Sequence, residues 1–318
     1  MRAKGVAHGQ GFLDEQEESL TLISAATGLA WEKLPQCFKR ELTEKERGRF
    51  VELLDRRILE RIPTAYLIGE AWLGGLKFKV DERVIIPRSY FVELIPEIIP
   101  QWLPPVKTIK HVADICTGSG CLAILLAKYF PNAQVDATDL SSDALEVAKI
   151  NVKSHRLEKR VKLFKTDTMT ALMSGKNYDL IVSNPPYEPE LVYKKLPEEF
   201  KKEPKMALVS EKDGLGVIRK LLKQAAKKLN PNGVLLIEVG GLRTAMHKNW
   251  PKLPMVWLAT QDGLDCVCLI AACDLQKSKW FYQARGATAV SNLSCVAGGS
   301  FGKKFNPVKV SMRRILTT

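Results

Sequence analysis

No apolar stretch in this 318-residue chain approaches the length needed to cross a bilayer, so a membrane-spanning helix is excluded. The amino end, Met1-Arg2-Ala3-Lys4-Gly5, carries charge but no compact apolar segment with a small-residue cleavage site, which argues against a secretory signal. Histidine is scarce. The four present (8, 111, 155, 247) form no metal-ligand spacing. The seven cysteines (37, 116, 121, 266, 268, 273, 295) are odd in number and scattered, so reduced thiols in a cytoplasmic compartment are expected. Alternation in Asp265-Cys266-Val267-Cys268-Leu269 puts Cys266 and Cys268 on one face of a strand, as core rather than as metal ligands. Acids are absent from residues 276–318, which hold eight Lys or Arg, so of the formal charge of +13 only +5 belongs to the rest. That mildly basic body suits an acidic or RNA-associated partner, and equally ordinary solubility.

What is present divides the chain. Residues 1–65 read as a helical region, the clearest helix starting at Thr43, which caps while Glu46 returns the bond. Residues 66–107 read as a β-hairpin over Tyr66 to Pro87, broken by Gly69, Gly74 and Gly75, and a helix through Phe91 to Ile98. Residues 108–275 alternate strand and helix. Strands are expected at 111–116, 134–139, 161–165, 178–183, 233–239, 254–259 and 265–271, and helices at 120–130, 141–154, 213–229 and 242–249. This order predicts an α/β fold with a mostly parallel, Rossmann-like sheet and helices on both faces. The charged, Pro-interrupted segment 188–212 is expected to fold over a substrate, and residues 276–318 to be a flexible basic tail.

Two places carry chemistry. The run His111 to Cys116 is followed by Thr117-Gly118-Ser119-Gly120 and then by the apolar helix pattern from Cys121, a strand, glycine turn and helix in sequence. Glycines at 118 and 120 let the backbone approach a ligand and take φ values that side chains forbid. Asp139 ends the next strand about twenty residues on, where an α/β sheet holds a ribose diol. NAD and S-adenosylmethionine both offer that diol, and Ala123 where a third glycine would stand still permits either. Asp167, after the third strand, is placed to accept from an adenine amino group or to be a solvated acid. Asp114 either faces the cofactor's ammonium or braces the loop.

The second place is Asn184-Pro185-Pro186-Tyr187, after the apolar run 178–183. Alone it reads as a Pro-rich turn. Beside a nucleotide-type loop it reads as a clamp for a planar NH2 group, whose lone pair is delocalised and poorly nucleophilic. The Asn184 side-chain oxygen and the Pro185 carbonyl accept its two N–H bonds, the prolines stiffen the tip, and Tyr187 stacks on the flat group. A nicotinamide enzyme has no use for such a clamp, which tips the balance to S-adenosylmethionine.

Over residues 43–273 the chain resembles the N5-glutamine methyltransferases, which modify glutamines in release factors and in a large-subunit ribosomal protein. The resemblance rests on Arg61-Ile62-Pro63-Thr64-Ala65-Tyr66-Leu67, Val80 to Arg88, Asp114 to Gly120, and Asn184 to Tyr187. Cys116 to Cys121, Ala71-Trp72, Glu203-Pro204 and Asp213-Gly214-Leu215 are similar to the branch acting on the ribosomal protein of the L-three type, whereas the release-factor branch usually has glycine where Cys116 stands. The resemblance implies methyl transfer from S-adenosylmethionine to a protein glutamine. It also implies that Cys116, Thr117, Ser119 and the two glycines form the cofactor loop, that Asp139 holds the ribose and that Asp167 and Thr168 lie near the adenine. Asn184 then binds both the methionine end and the glutamine, with Pro185, Pro186, Tyr187 and Arg88 on the substrate side. Release-factor methylation, nucleobase amino-methylation of RNA or DNA, and a non-catalytic role in ribosome assembly are the alternatives. RNA contact through the basic surface is compatible with each, and no oligomeric state follows from the sequence.

Overall fold

Asp14 and Thr43 open the first two helices. The computed structural model describes residues 5–7, 10, 14–37, 39–97, 99–172 and 174–277, without the side chains of Gln36 and Cys37. The Asp14 carboxylate accepts the amides of Gln16 and Glu17 and starts α1 (Glu15–Thr27), which Gly28 ends at φ 71°. A 3-10 helix spans Trp31–Cys37. Thr43 and Glu46 close the expected capping box, and α2 runs Glu44–Ile58.

The hairpin expected from Tyr66 is shorter than its pattern. Thr64–Ile68 form a short helix, α3, stopped by Gly69 at φ 71°. The strands are β1 (Glu70–Leu73) and β2 (Leu76–Lys79), joined at Gly74 and Gly75, both at positive φ. An extended stretch then leads to α4 (Phe91–Glu97).

From there strand and helix alternate: β3 (His111–Ile115), α5 (Cys121–Tyr129), β4 (Gln134–Asp139), α6 (Ser142–Ser154), β5 (Val161–Lys165), β6 (Tyr178–Ser183), α7 (Glu190–Tyr193), α8 (Lys205–Leu208), α9 (Gly216–Lys228), β7 (Leu229–Glu238), α10 (Arg243–Asn249), β8 (Val256–Leu258), β9 (Val267–Ala271) and α11 (Ala272–Lys277). The sheet order is β5-β4-β3-β6-β7-β9-β8. The first five of these run parallel, and β9 is antiparallel to both its neighbours. The central strands are covered on both faces, so their apolar runs are continuous rather than alternating. β7 starts four residues earlier than its apolar run, because Leu229 pairs with Tyr178 before an irregularity in which Asn230-Pro231-Asn232-Gly233 sits.

A buried amide helps fasten the hairpin to the sheet domain. Asn151 on α6 accepts from the Lys79 amide (2.7 Å) and donates to the Lys79 and Ser119 carbonyls (3.0 and 2.9 Å). Behind it Val80, Val84 and Ile86 pack on Ala144 and Val147. Segment 188–212 is not bare loop. It carries α7, a 3-10 turn at Phe200–Lys202 and α8, and is closed by a bridge between Glu188 and Val209. No helix among the described residues is long and apolar enough to cross a membrane. Beyond Lys277 the expected basic tail lies outside the described residues.

Candidate active site

The parallel register alone builds one rim. Ile115 is level with Thr138 on one side and Ser183 on the other, Ser183 is level with Ile237, and Asp139 with Lys165. The next residue along each strand therefore stands in one row: Lys165, Asp139, Cys116, Asn184 and Glu238. The chain leaves β3 in one direction to β4 and returns on its other side at β6, so the row crosses the point where the strand order reverses. Ligands of open α/β sheets bind there.

A cleft of about 270 Å³ opens at this rim. Of the expected residues, Cys116, Gly118, Asp139, Asp167, Thr168, Asn184 and Pro186 line it. Asp114, Thr117, Ser119, Gly120, Arg88, Pro185 and Tyr187 do not. Thr117 Oγ1 donates to Asp114 Oδ2 at 2.5 Å, and Asp114 is wholly buried. Burial pushes the Asp114 carboxyl up to about 7 despite the bond from Thr117. Gly120 at φ 79° starts α5 against Ala148, where an added Cβ would meet another at 3.1 Å. Cys116 itself has φ 63°, a left-handed backbone that a glycine takes without strain.

Asp139 is held from both ends. Oδ2 accepts the Gly118 amide (2.8 Å) and Oδ1 the Ser141 amide (2.9 Å). Each carboxylate oxygen retains a second lone pair, enough for two ribose hydroxyls. Burial raises its pKa despite these bonds. Leu140, more than half exposed, adds an apolar wall beside it. Asp167 lines the far end with Oδ2 in an exposed pair with Lys220 (2.7 Å). Gln224 Oε1 accepts from Thr168 Oγ1 (2.6 Å) and the Met169 amide (2.8 Å), fixing the turn on which Thr168 takes φ 53°.

At the tip, Asn184 Nδ2 donates to Glu238 Oε1 (3.1 Å) and to the Arg88 carbonyl (3.4 Å). Among the described residues no hydrogen bond is made to the Asn184 amide oxygen or the Pro185 carbonyl. Pro185 is buried, and Tyr187 is seated between two glycines: an added Cβ would meet its ring at 2.6 Å from Gly240 and its carbonyl at 2.3 Å from Gly214. The expected substrate contact by the Arg88 side chain is not what the geometry gives. Its guanidinium is taken bidentately by Glu203 (2.6 and 2.7 Å) and lies over the Phe200 ring, so Arg88 reaches the tip by its backbone oxygen.

Sequence reasoning missed Glu238 and the wall that Arg83, Val84 and Ile85 add to the cleft. Glu238 is a single acid ending Val234-Leu235-Leu236-Ile237, which was the signal available. Arg83, Val84 and Ile85 from the extended stretch, and Pro204, Met206, Ala207 and Val209 from segment 188–212, line the cleft from the other side.

A doubly flanked parallel sheet with a glycine turn, an acid ending the second strand and an amide-bearing proline tip on one rim defines a Rossmann-like methyltransferase. Residues 97–241 match the Methyltransferase small domain. The ribosomal protein uL3 glutamine methyltransferase of Neisseria meningitidis serogroup B is 44% identical over 84% of this chain and 87% of its own length. That of Bordetella pertussis is 41% identical over 85% and 90%, and that of Francisella tularensis 36% over 88% of each. The chain belongs to the ribosomal protein uL3 glutamine methyltransferase family. Its fold is shared with the hMettl16 catalytic domain solved with the MAT2A 3′UTR hairpin 1 (TM-score 0.50, 14% identity, 83% of this chain and 95% of that one). It is a methyltransferase whose cofactor is S-adenosylmethionine, as the loop and tip led us to expect.

Proposed function

We propose that this chain methylates the side-chain nitrogen of a glutamine in ribosomal protein uL3, in the cytoplasm, before or during assembly of the large subunit. The observation that carries the reading is the Asn184 amide, oriented by two acceptors on its nitrogen so that its oxygen is left as an acceptor. When bound, S-adenosylmethionine supplies an electrophilic methyl group. The residues supply position. Asp139 binds the ribose, Leu140 and the Thr168 turn flank the base, and Asn184 with the Pro185 carbonyl holds the glutamine NH2. No general base is demanded of the chain, since the glutamine nitrogen becomes acidic only as it gains the methyl and would then lose its proton to water. Catalysis by orientation suffices for such a step. Residues of segment 188–212 over the cleft keep water from competing for the amide.

The test is direct. Purified chain, labelled S-adenosylmethionine and recombinant uL3 should give label on one uL3 glutamine by mass spectrometry. Label on release factors or on RNA alone would overturn the substrate. Asp139→Ala should weaken cofactor binding by roughly 10- to 150-fold, the value of about 1.5–3 kcal/mol for a bond to a charged acceptor. Calorimetric affinity equal to wild type would remove the ribose role.

A further inference from the structure

We infer that Glu238 is a positioning residue that sets which way the Asn184 amide faces, and that it does so as a carboxylate. This rests on the function just proposed. A side-chain amide is nearly symmetric in shape, and a half-turn exchanges its acceptor for a donor. A tip that must accept from a glutamine NH2 fails when flipped, because two NH2 groups then face each other. Two acceptors decide the orientation here, Glu238 Oε1 at 3.1 Å and the Arg88 carbonyl at 3.4 Å. The carbonyl is fixed by the chain and sits at the longer distance; the carboxylate makes the shorter bond.

The other oxygen of Glu238 is fully used. Oε2 accepts from Ser89 Oγ at 2.7 Å and from the Tyr90 amide at 3.3 Å. Three donors therefore converge on one buried carboxyl from β6 and from the segment after Pro87. The ionised form accepts all three as they stand; a proton on Oε1 meets the Asn184 NH2 donor to donor, and one on Oε2 is accommodated only if the Ser89 hydroxyl turns to accept it. The groups around it are the Arg88 guanidinium, which favours the charge, and Tyr90, Tyr187 and Cys266, which burial keeps neutral. Burial raises the Glu238 carboxyl to about 7, and the Ser89, Tyr90 and Asn184 bonds with Arg88 hold it from going higher. Loss of a proton near neutrality thus switches the tip from loosely to firmly held.

The experiment measures kcat, KM for uL3 and cofactor affinity across pH for wild type, Glu238→Gln and Ser89→Ala. Wild-type kcat should fall as pH drops through about 7. Glu238→Gln should lose about 10²-fold in kcat, the cost of a misplacement near 1 Å, with KM and cofactor affinity within a few-fold and no acid limb. Ser89→Ala removes a bond that favours the carboxylate, so its limb should move to higher pH. Glu238→Gln with wild-type kcat, or with the limb intact, overturns the inference. Should that variant not fold, an unshifted limb in Ser89→Ala overturns it. A wild-type chain inactive on uL3 sinks the proposed function and this inference together, whereas an active wild type beside an equally active Glu238→Gln sinks the inference alone.

Discussion

Asn184→Ala is expected to abolish methyl transfer while leaving cofactor binding measurable. The substitution removes an acceptor placed at the tip of β6 and leaves the acid and glycine turn of the cofactor side, at β4 and β3, untouched. Loss of one preorganised hydrogen-bonding group at a reacting centre costs about 10²–10³-fold in kcat. Here the loss should be at the upper end or beyond, because the same side chain also fixes the direction in which the nitrogen faces. Glu238 would then keep its Ser89 and Tyr90 donors, so the fold should not suffer. Single-turnover rates with uL3, paired with calorimetry for the cofactor, separate the two effects. A rate within tenfold of wild type would take the acceptor role away from Asn184.

Much of this arrangement was readable from residue order because the central strands are short, apolar and bounded by turn residues. Asp139 and Asn184 could be placed at strand ends without knowing which strands are neighbours. What the sequence did not disclose depends on that adjacency. Glu238 meets Asn184 only because β7 lies beside β6 with Ile237 level with Ser183. Arg88 looked like a substrate ligand because it follows a specific motif, but Glu203, distant in sequence, takes its guanidinium. The hairpin pattern starts at Tyr66 and so takes in the last three residues of α3, because Tyr66 and Ile68 are residues favoured in strands and Gly69 reads as a turn rather than as a helix stop. Segment 188–212 reads in sequence as a loop that folds over a substrate, because its short helices are too small to show periodicity.

That segment is tied to the helical region by buried charge, and Arg57→Ala is expected to be the most destabilising single change outside the sheet. Arg57, near the end of α2, is 2% exposed. Its Nε donates to Glu18 on α1 at 2.5 Å, Nη2 to the Ala7 carbonyl at 2.8 Å, and Nη1 lies 3.5 Å from Glu199. Glu18 also accepts from Thr64 (2.6 Å) and Glu199 from Arg61 (3.0 Å). Removing the guanidinium leaves Glu18 with only part of its partners and a buried negative charge on each side. Breaking such a pair costs about 3–5 kcal/mol, or roughly 6–20 °C in Tm for a domain of this size. Burial alone would raise the Glu199 carboxyl, but bonds from its own backbone, the Ala7 amide and Arg61, with the charge of Arg57, hold it below its ordinary value. A carboxyl lowered on folding contributes stability that is complete above its unfolded pKa and is lost as pH falls through the folded value. The wild type should therefore lose Tm in acid, and Arg57→Ala should lose less over the same range because part of that linkage is already gone. Arg61→Ala, at a partly exposed position, should cost only about 1 kcal/mol or less. Thermal melts at neutral and acid pH on all three proteins decide it: an Arg57→Ala variant melting within a degree or two of wild type would mean that the buried charges bind nothing together.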